Sequence, residues 1–439
     1  MIFMAEKLAI FGGSKAVTIE DKEAFGPWPI ISEEEIKLVT DCLRKGWISG
    51  TPPIVTMFEE AFAKYHNVKY ALAVNNGTAS IQAALFAVGV GPGDEVITPS
   101  YTWHCGVTPI LACHGIPVFC EVDPKTLCAD PEDVERKITS KTKAILVTHL
   151  WGVPAEMDRI MEIAEDHGLP VIEDASHAHG SIYKGRKVGS IGDIGCFSLQ
   201  ASKAMVAGEG GILITNNEEY LKWATALGNF ERLWLWPDHP VYKFRNAHFG
   251  LKFRIHPLAA AIAYVQLKHL DEWNKIRREN HMYMIDGLKD IEGIEPPYIP
   301  SYVKMGGWYG FRIKYYPEKL LGVSKEKFIA AIRAEGVRAS LERYPLLHLE
   351  PIFTEKNLQI RGGPLRCPYE QRRFYKKGDL PITEEVYARL IALPKFQTKP
   401  CKELIDQYIE AFRKVVENIE ELKKKKIERV EVPFEAGIR

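Results

Sequence analysis

Between Val171 and Gly211 the chain gathers several reactive side chains. The stretch reads VIEDASHAHG, then a short loop, then IGDIGCFSLQASKAMVAGEGG. Asp174 closes one apolar, strand-like run and Lys203 follows another, CFSL, with His177, Ser198 and Gln200 between them. A site for pyridoxal phosphate (PLP) requires an amine to condense with its aldehyde and a carboxylate to keep its ring nitrogen protonated. It also requires hydroxyl and backbone donors for its phosphate. Ala201, Ala204, Met205 and Val206 surround Lys203 with apolar groups. Such a setting desolvates an ammonium and lowers its pKa, which lets the amine form an imine and then shuttle protons. Plainer readings stand beside these. A lysine is usually a surface residue, and an Asp at a strand end can simply cap the next helix.

Other segments add to the set. Asn75-Asn76-Gly77-Thr78 follows a strand-like run and opens a helix-like one, where backbone N–H groups make an anion site. Ser198 would be a second phosphate ligand. No GxGxxG accompanies this turn, so a dinucleotide site lacks its fingerprint. Trp103 ends Pro-Ser-Tyr-Thr-Trp and is either a core aromatic or a platform for a planar cofactor. His177 could reach the ring hydroxyl of such a cofactor. With His179, His104, His114 and His149 it could instead belong to a metal site. Neither HExxH nor paired CxxC motifs support that, and no metal is expected.

These residues need a frame. From Tyr70 onward short apolar runs alternate with helix-length segments. The strand expectations are Tyr70–Val74, Glu95–Thr98, Val118–Val122, Ala144–Thr148, Val171–Asp174 and Ile212–Thr215, with helices at Thr78–Ala87, Glu132–Ile138 and Ala155–Asp166 between them. The pattern predicts an α/β fold with a mostly parallel, helix-flanked sheet, whose ligands gather at the carboxyl ends of strands. Upstream, Ser32 with Glu35 forms a capping box for a helix that Gly46 stops, and a second helix is expected over Val55–Tyr65. A long Ala-rich helix after Leu258 could bridge two domains. A smaller α/β unit then follows, with strands at Phe311–Tyr315 and Gly336–Ser340 and a helix at Lys325–Glu335. A loop from Glu355 to Gly378 precedes helices near Thr383–Ala392 and Lys402–Lys424. The expected domains are an extended N-terminal arm (1–30), a large cofactor-binding domain (31–275) and a small C-terminal domain (276–439).

Composition bounds the partners. The 439 residues carry 57 Lys+Arg and 57 Asp+Glu, with a 46% hydrophobic share. A charge-balanced globular chain lacks the basic excess of a general nucleic-acid binder. No apolar run approaches the ~20 residues that span a membrane. The eight cysteines form no CxxC pair, which suits reduced thiols in a cytoplasmic protein without a signal peptide.

The chain also resembles the DegT/StrS-type aminotransferases, fold-type-I PLP enzymes that act on keto sugars and keto cyclitols. The resemblance runs through LAIFGG, GWISG, NNGTAS, PSYTW, EDASHAHG, FSLQASKAMVAGEGG, GLKFRIHPLAAAIA, YPLLHLEP, LPITE and ALPKF. It implies an aspartate-aminotransferase-like large domain with Lys203 as the Schiff-base lysine and Asp174 as partner of the pyridinium nitrogen. His177 would lie near the ring hydroxyl, Gly77, Thr78 and Ser198 on the phosphate, and Trp103 on the ring. Lys252 and Arg254 would reach into a neighbouring subunit's site, making a homodimer with shared active sites. Lys252 stands where the family usually has Asn. The FSxQxxK form, with Gln200 as a substrate contact, is more similar to the scyllo-inosose aminotransferase and aminohydroxybenzoate synthase subgroup.

The expectation is therefore a PLP-dependent transaminase that moves an amino group from glutamine or glutamate to a keto-cyclitol or keto-sugar, in two half-reactions. The alternatives are a nucleotide-linked keto-sugar acceptor and a non-catalytic PLP-binding regulator. A dehydratase of the same fold would carry His at the lysine position, and a metal hydrolase would use the histidines. The aromatic segment Trp223, Phe230, Trp234 and Trp236 either shapes the acceptor pocket or packs in the core.

Overall fold

A computed structural model describes residues 6–20, 27–246, 251–356, 358–360, 363–364, 373–396 and 399–426. Seven strands form the central sheet: β1 (Tyr70–Val74), β2 (Glu95–Pro99), β3 (Ile116–Cys120), β4 (Thr142–Thr148), β5 (Val171–Asp174), β6 (Ile194–Ser198) and β7 (Gly211–Thr215). Their spatial order is β1-β7-β6-β5-β4-β2-β3. β7 runs antiparallel to both β1 and β6, whereas the pairs β2–β3, β2–β4, β4–β5 and β5–β6 are all parallel. The sheet is thus mostly parallel, with one reversed strand.

Buried apolar residues on successive positions point to opposite faces, as strand geometry requires. Ile145, Val147, Ile212 and Ile214 pack on one side with Phe58 and Phe62 of helix α1 (Pro53–His66) and with Ala260, Ala261 and Ala263 of the long helix α3 (Pro257–Leu288). Ala144, Leu146, Ile172 and Leu213 pack on the other side with Ile81, Ala84 and Leu85 of α2 (Gly77–Ala87). A sheet buried on both faces in this way needs the near-continuous apolar strands that the sequence supplies.

Helix α3 extends about 48 Å at the α-helical rise per residue. Its start packs on the large sheet, while Met284 and Leu288 near its end join a second core. That core surrounds a four-stranded antiparallel sheet of β8 (Ile294–Glu295), β9 (Phe311–Tyr315), β10 (Ser340–Leu341) and β11 (Leu390–Leu393), in the order β8-β9-β11-β10. Residues 6–20, from the expected N-terminal arm, pack against the smaller unit. Leu8 and Val17 are buried in the second core, and the N–H groups of Ala9 and Ala16 donate to the Glu335 carboxylate at 2.7 and 3.1 Å.

The structure corrects two element expectations. The helix expected over Thr383–Ala392 spans Pro381–Arg389 and gives way to β11, which pairs with both β9 and β10. The strand expected at Gly336–Ser340 is confined to Ser340–Leu341, because Gly336, at φ 103°, turns the chain there. Much of the loop expected between Glu355 and Gly378 lies outside the described residues.

Candidate functional site

A cavity of about 370 Å³ opens beyond the carboxyl ends of the parallel strands. Four strand-end segments of the large sheet supply most of its wall. Gly77 and Thr78 follow β1, Trp103 and Cys105 follow β2, Asp174 and His177 end and follow β5, and Ser198 ends β6 with Gln200, Ser202 and Lys203 behind it. Sequence spacing alone connects none of these segments. The parallel sheet does.

At the β1 end, Asn76 caps α2 by accepting the Ala79 N–H at 2.8 Å. The N–H groups of Gly77 and Thr78 are the first of that helix, and no carbonyl within it can satisfy them. A Cβ on Gly77 would sit 2.7 Å from Ser198 Cβ and 3.0 Å from its Cα. Glycine therefore lets the helix start and the Ser198 hydroxyl converge on one small concave spot lined with donors. Its donor chemistry suits a phosphate.

Asp174 plays two parts. One carboxylate oxygen accepts the Ser176 N–H at 3.1 Å, the local turn role that sequence left open, and the side chain also lines the cavity. Its neighbour Glu173 holds the strand end in place. Fully buried, Glu173 accepts from His149 Nε2 at 2.8 Å and from the N–H groups of Gly189, Ile191 and Gly192 at 2.7, 2.7 and 2.6 Å. Burial alone would raise its pKa, but these donors outweigh burial and lower it.

Lys203 is 7% exposed. Burial drives its pKa down, and the nearby Tyr309 and Asp174 act the other way. The Lys203 carbonyl accepts the Trp28 indole N–H at 3.0 Å, so residue 28 of the N-terminal segment secures the lysine's backbone. Gln200 accepts from Ser202 twice through Oε1, at 2.8 Å from the N–H and 2.5 Å from the hydroxyl. It lines the cavity while bracing the turn that carries Lys203.

His177 is buried, and burial followed by the positive charges of Lys203 and Lys395 holds its pKa well below the usual imidazole value. Its Nδ1 accepts the Trp151 N–H at 3.4 Å, which leaves the ring proton on Nε2, 3.2 Å from the Tyr344 hydroxyl. Both nitrogens thus have protein partners. His149 is likewise engaged, by Glu173 and by the Ala155 N–H. Among the described residues no three His, Cys, Asp or Glu side chains are placed to hold a metal ion. Trp103 lines the cavity, 38% exposed, with its ring 5.0 Å from that of Tyr344.

Lys252 and Arg254 do not line this cavity. Lys252 is exposed, and Arg254 forms an ion pair with Glu231 and a bridge to Val74. Trp223, Phe230 and Trp236 pack around Leu233 and Val241, and Trp234 is exposed, so none of the four reaches the cavity of its own chain. Sequence reading missed Tyr309, Arg343 and Tyr344, which enter the wall from the smaller unit. Tyr344 begins the YPLLHLEP block, with Arg343 just before it, and His348 of that block bonds Ser100 of the PSYTW block through Nδ1 at 2.6 Å. Tyr309 lies in GGWYG, where paired glycines beside aromatics were the available signal.

A buried amine, a carboxylate at a strand end, a donor-lined concavity and an aromatic platform fit PLP. The family model described as the DegT/DnrJ/EryC1/StrS aminotransferase family matches residues 29–413. The spore coat polysaccharide biosynthesis protein SpsC of Bacillus subtilis is 34% identical, over 91% of this chain and 99% of that one. The L-glutamine:2-deoxy-scyllo-inosose aminotransferase of Streptomyces lividus is 32% identical, over 89% and 93%. Among solved structures, an aminotransferase from Psychrobacter cryohalolentis superposes with a TM-score of 0.79 at 28% identity, over 90% of this chain and 100% of that one. DesI in the presence of its TDP-sugar product superposes at 0.74 and 26%, over 95% and 99%. A Streptococcus pneumoniae protein in its PLP form does so at 0.74 and 25%, over 90% and 99%. The chain belongs to the DegT/DnrJ/EryC1/StrS aminotransferase family, and its cofactor is pyridoxal phosphate.

Proposed function

We propose that this member of the sugar and cyclitol aminotransferases moves the amino group of glutamine or glutamate to the ketone carbon of a keto-cyclitol of the scyllo-inosose type, or of a similar keto sugar. The observation that carries the reading is the buried Lys203 amine, set in one cavity with Asp174 and the Gly77–Ser198 concavity. When bound, PLP supplies a carbon that takes up and gives back an amino group, and a ring that accepts the electron pair of a breaking C–H bond.

This chain's residues do the rest. Lys203 would attach the cofactor and, once displaced, take the proton from the donor's α-carbon and return it, a task for which a lowered amine pKa suits it. Asp174 would hold the proton on the ring nitrogen. The N–H groups of Gly77 and Thr78 and the Ser198 hydroxyl would bind the phosphate, Trp103 would cover the ring, and His177 would face the ring hydroxyl. Gln200 would contact the substrate from the turn it braces. In a homodimer, Lys252 and Arg254 of a second copy would complete the wall, with Lys252 in place of the family's usual Asn.

The Streptomyces lividus relative supports glutamine as donor and a cyclitol as acceptor. DesI supports a second reading, a nucleotide-linked keto sugar. A half-reaction screen separates them. The protein is purified with its cofactor, aminated with glutamine or glutamate, and offered free keto-cyclitols and nucleotide-linked keto sugars while the cofactor's near-visible band is followed. Recovery of the band with free cyclitols is expected, whereas recovery with nucleotide-linked sugars alone would select the second reading. Borohydride should fix the cofactor to Lys203, and Lys203→Ala should lose the band. A wild-type chain that takes up PLP but reacts with no donor would instead be a non-catalytic binder.

A further inference from the structure

We propose that Tyr309 is a positioning residue for Lys203: its ring face seats the lysine ammonium, and its hydroxyl, anchored through Ser202 to Gln200, favours the charged form of that amine. Lys203 Nζ lies 4.0 Å from the centroid of the Tyr309 ring, a cation–π distance. The phenol oxygen is 2.8 Å from Ser202 Oγ, which lies 2.5 Å from Gln200 Oε1. The single Ser202 hydroxyl proton turns from Gln200 to the phenolate oxygen when Tyr309 ionises, while the Ser202 N–H keeps its bond to Gln200 Oε1 at 2.8 Å. One short chain of groups therefore joins the lysine, the tyrosine and the glutamine of the FSLQASK segment.

Tyr309 is built into place rather than merely adjacent. Its ring stacks on His177 at 4.2 Å and lies nearly parallel to Trp151, 8° between planes. Its N–H donates to the Trp151 carbonyl at 3.0 Å. Glycines on both sides allow this approach. A Cβ on Gly307 would meet the His177 carbonyl oxygen at 2.7 Å, and one on Gly310 would meet the Trp151 ring at 2.3 Å. Bulk at either position would lift the tyrosine off the lysine.

Positive charge dominates the surroundings. Lys395 Nζ lies 4.3 Å from the same ring centroid, and Arg343 donates to the phenol oxygen at 3.5 Å. His177 faces the ring from the end of β5 and Tyr344 stands beside His177, while Asp174, Cys105 and Arg343 act on Lys203 from other elements, and Lys203 in turn lowers the pKa of buried His179. Burial would raise the Tyr309 pKa, but Lys203, Lys395, the Ser202 hydrogen bond and Arg343 together bring it to about 7. Near neutral pH the phenol therefore carries part of a negative charge, facing an ammonium whose own pKa burial lowers. Loss of that charge removes one of the groups that keep Lys203 protonated, so the amine should shed its proton at lower pH.

The inference rests on Lys203 as the cofactor-bearing amine, yet its test needs neither cofactor nor substrate. The full-length chain, stripped of cofactor, is labelled with an amine-reactive reagent across about pH 6 to 10, and the Lys203 peptide is quantified. Tyr309→Phe should move the labelling midpoint to lower pH, and Tyr309→Leu should move it further, so that labelling at neutral pH rises several-fold. Ser202→Ala, which removes the phenol's partner without touching the ring, should shift it in the same direction by less. Circular dichroism identifies the folded variants. A shift with Tyr309→Leu alone would overturn the part given to the hydroxyl. Midpoints equal to wild type in every folded variant would overturn the whole, and would leave the amino-transfer reading intact.

Discussion

At position 77 a single methyl group decides whether two elements can share a ligand. The helix start and the end of β6 approach so closely that alanine there would overlap Ser198. Overpacking of this kind costs about 1–3 kcal/mol, and here the relief is to open the donor-lined concavity. Gly77→Ala should therefore weaken PLP binding roughly 10- to 100-fold while the apo chain stays folded, as a fluorescence titration of cofactor into apoenzyme would show. An unchanged affinity would remove the phosphate role from this turn. Gly77, Ser198, Asp174 and Lys203 were legible because each sits where a local pattern ends: a strand run, a helix start, a glycine loop. Tyr309, Arg343 and Tyr344 were not. Their segments are remote in sequence, and only the packing of one sheet unit against the other aims them at Lys203. Gln200 was expected as a substrate contact; that it braces the lysine's turn through Ser202 emerges only in the folded chain.

The strands were easier to read than the elements of the smaller unit. β1 and β5 match their expected spans residue for residue, β1 through its apolar run YALAV and β5 through Val171 and Ile172 closed by an acidic pair. Leu390–Leu393 misled for a physical reason. Four apolar residues after an amphipathic helix continue its pattern, and only pairing with β9 and β10 turns them into a strand. At the level of β5, Glu173 is the anchor that fixes where Asp174 projects. Glu173→Ala would strand three N–H groups, two of them buried, and a buried histidine, and loss of one partner from such a pair costs roughly 3–5 kcal/mol. The expected result is a clear fall in melting temperature and weaker PLP retention. Glu173→Gln, which keeps the shape and one acceptor oxygen, should lose less. A variant as stable as wild type would show that the strand end is held by other contacts.

Across the whole molecule, two cores share one long helix, and four of the six imidazoles buried among the described residues are bonded to no carboxylate. His66, His177 and His179 lie in or beside the large core, and His281 lies in α3 near the smaller one. Burial lowers the pKa of all four, to about 4 for His66 and about 3 for His179 and His281. Below about pH 6.5 the unfolded chain takes up protons that the folded chain refuses, so stability falls as pH falls. Between about pH 7.5 and 5.5, four such groups amount to about 5 kcal/mol. The urea midpoint should drop markedly over that range, before most carboxylates titrate, and a flat profile would show that these histidines are protonated in the folded state. No helix among the described residues is long and apolar enough to cross a membrane, α3 included.

The indole of Trp28 on the Lys203 carbonyl has one more consequence. The groups around that lysine are contributed by residue 28 at one extreme and by Lys395 at the other. During synthesis, which proceeds from the amino terminus, the earliest of these partners must wait for almost the entire polypeptide to leave the ribosome before the last arrives. The sheet can assemble first, but the lysine's full surroundings are a property of the finished chain.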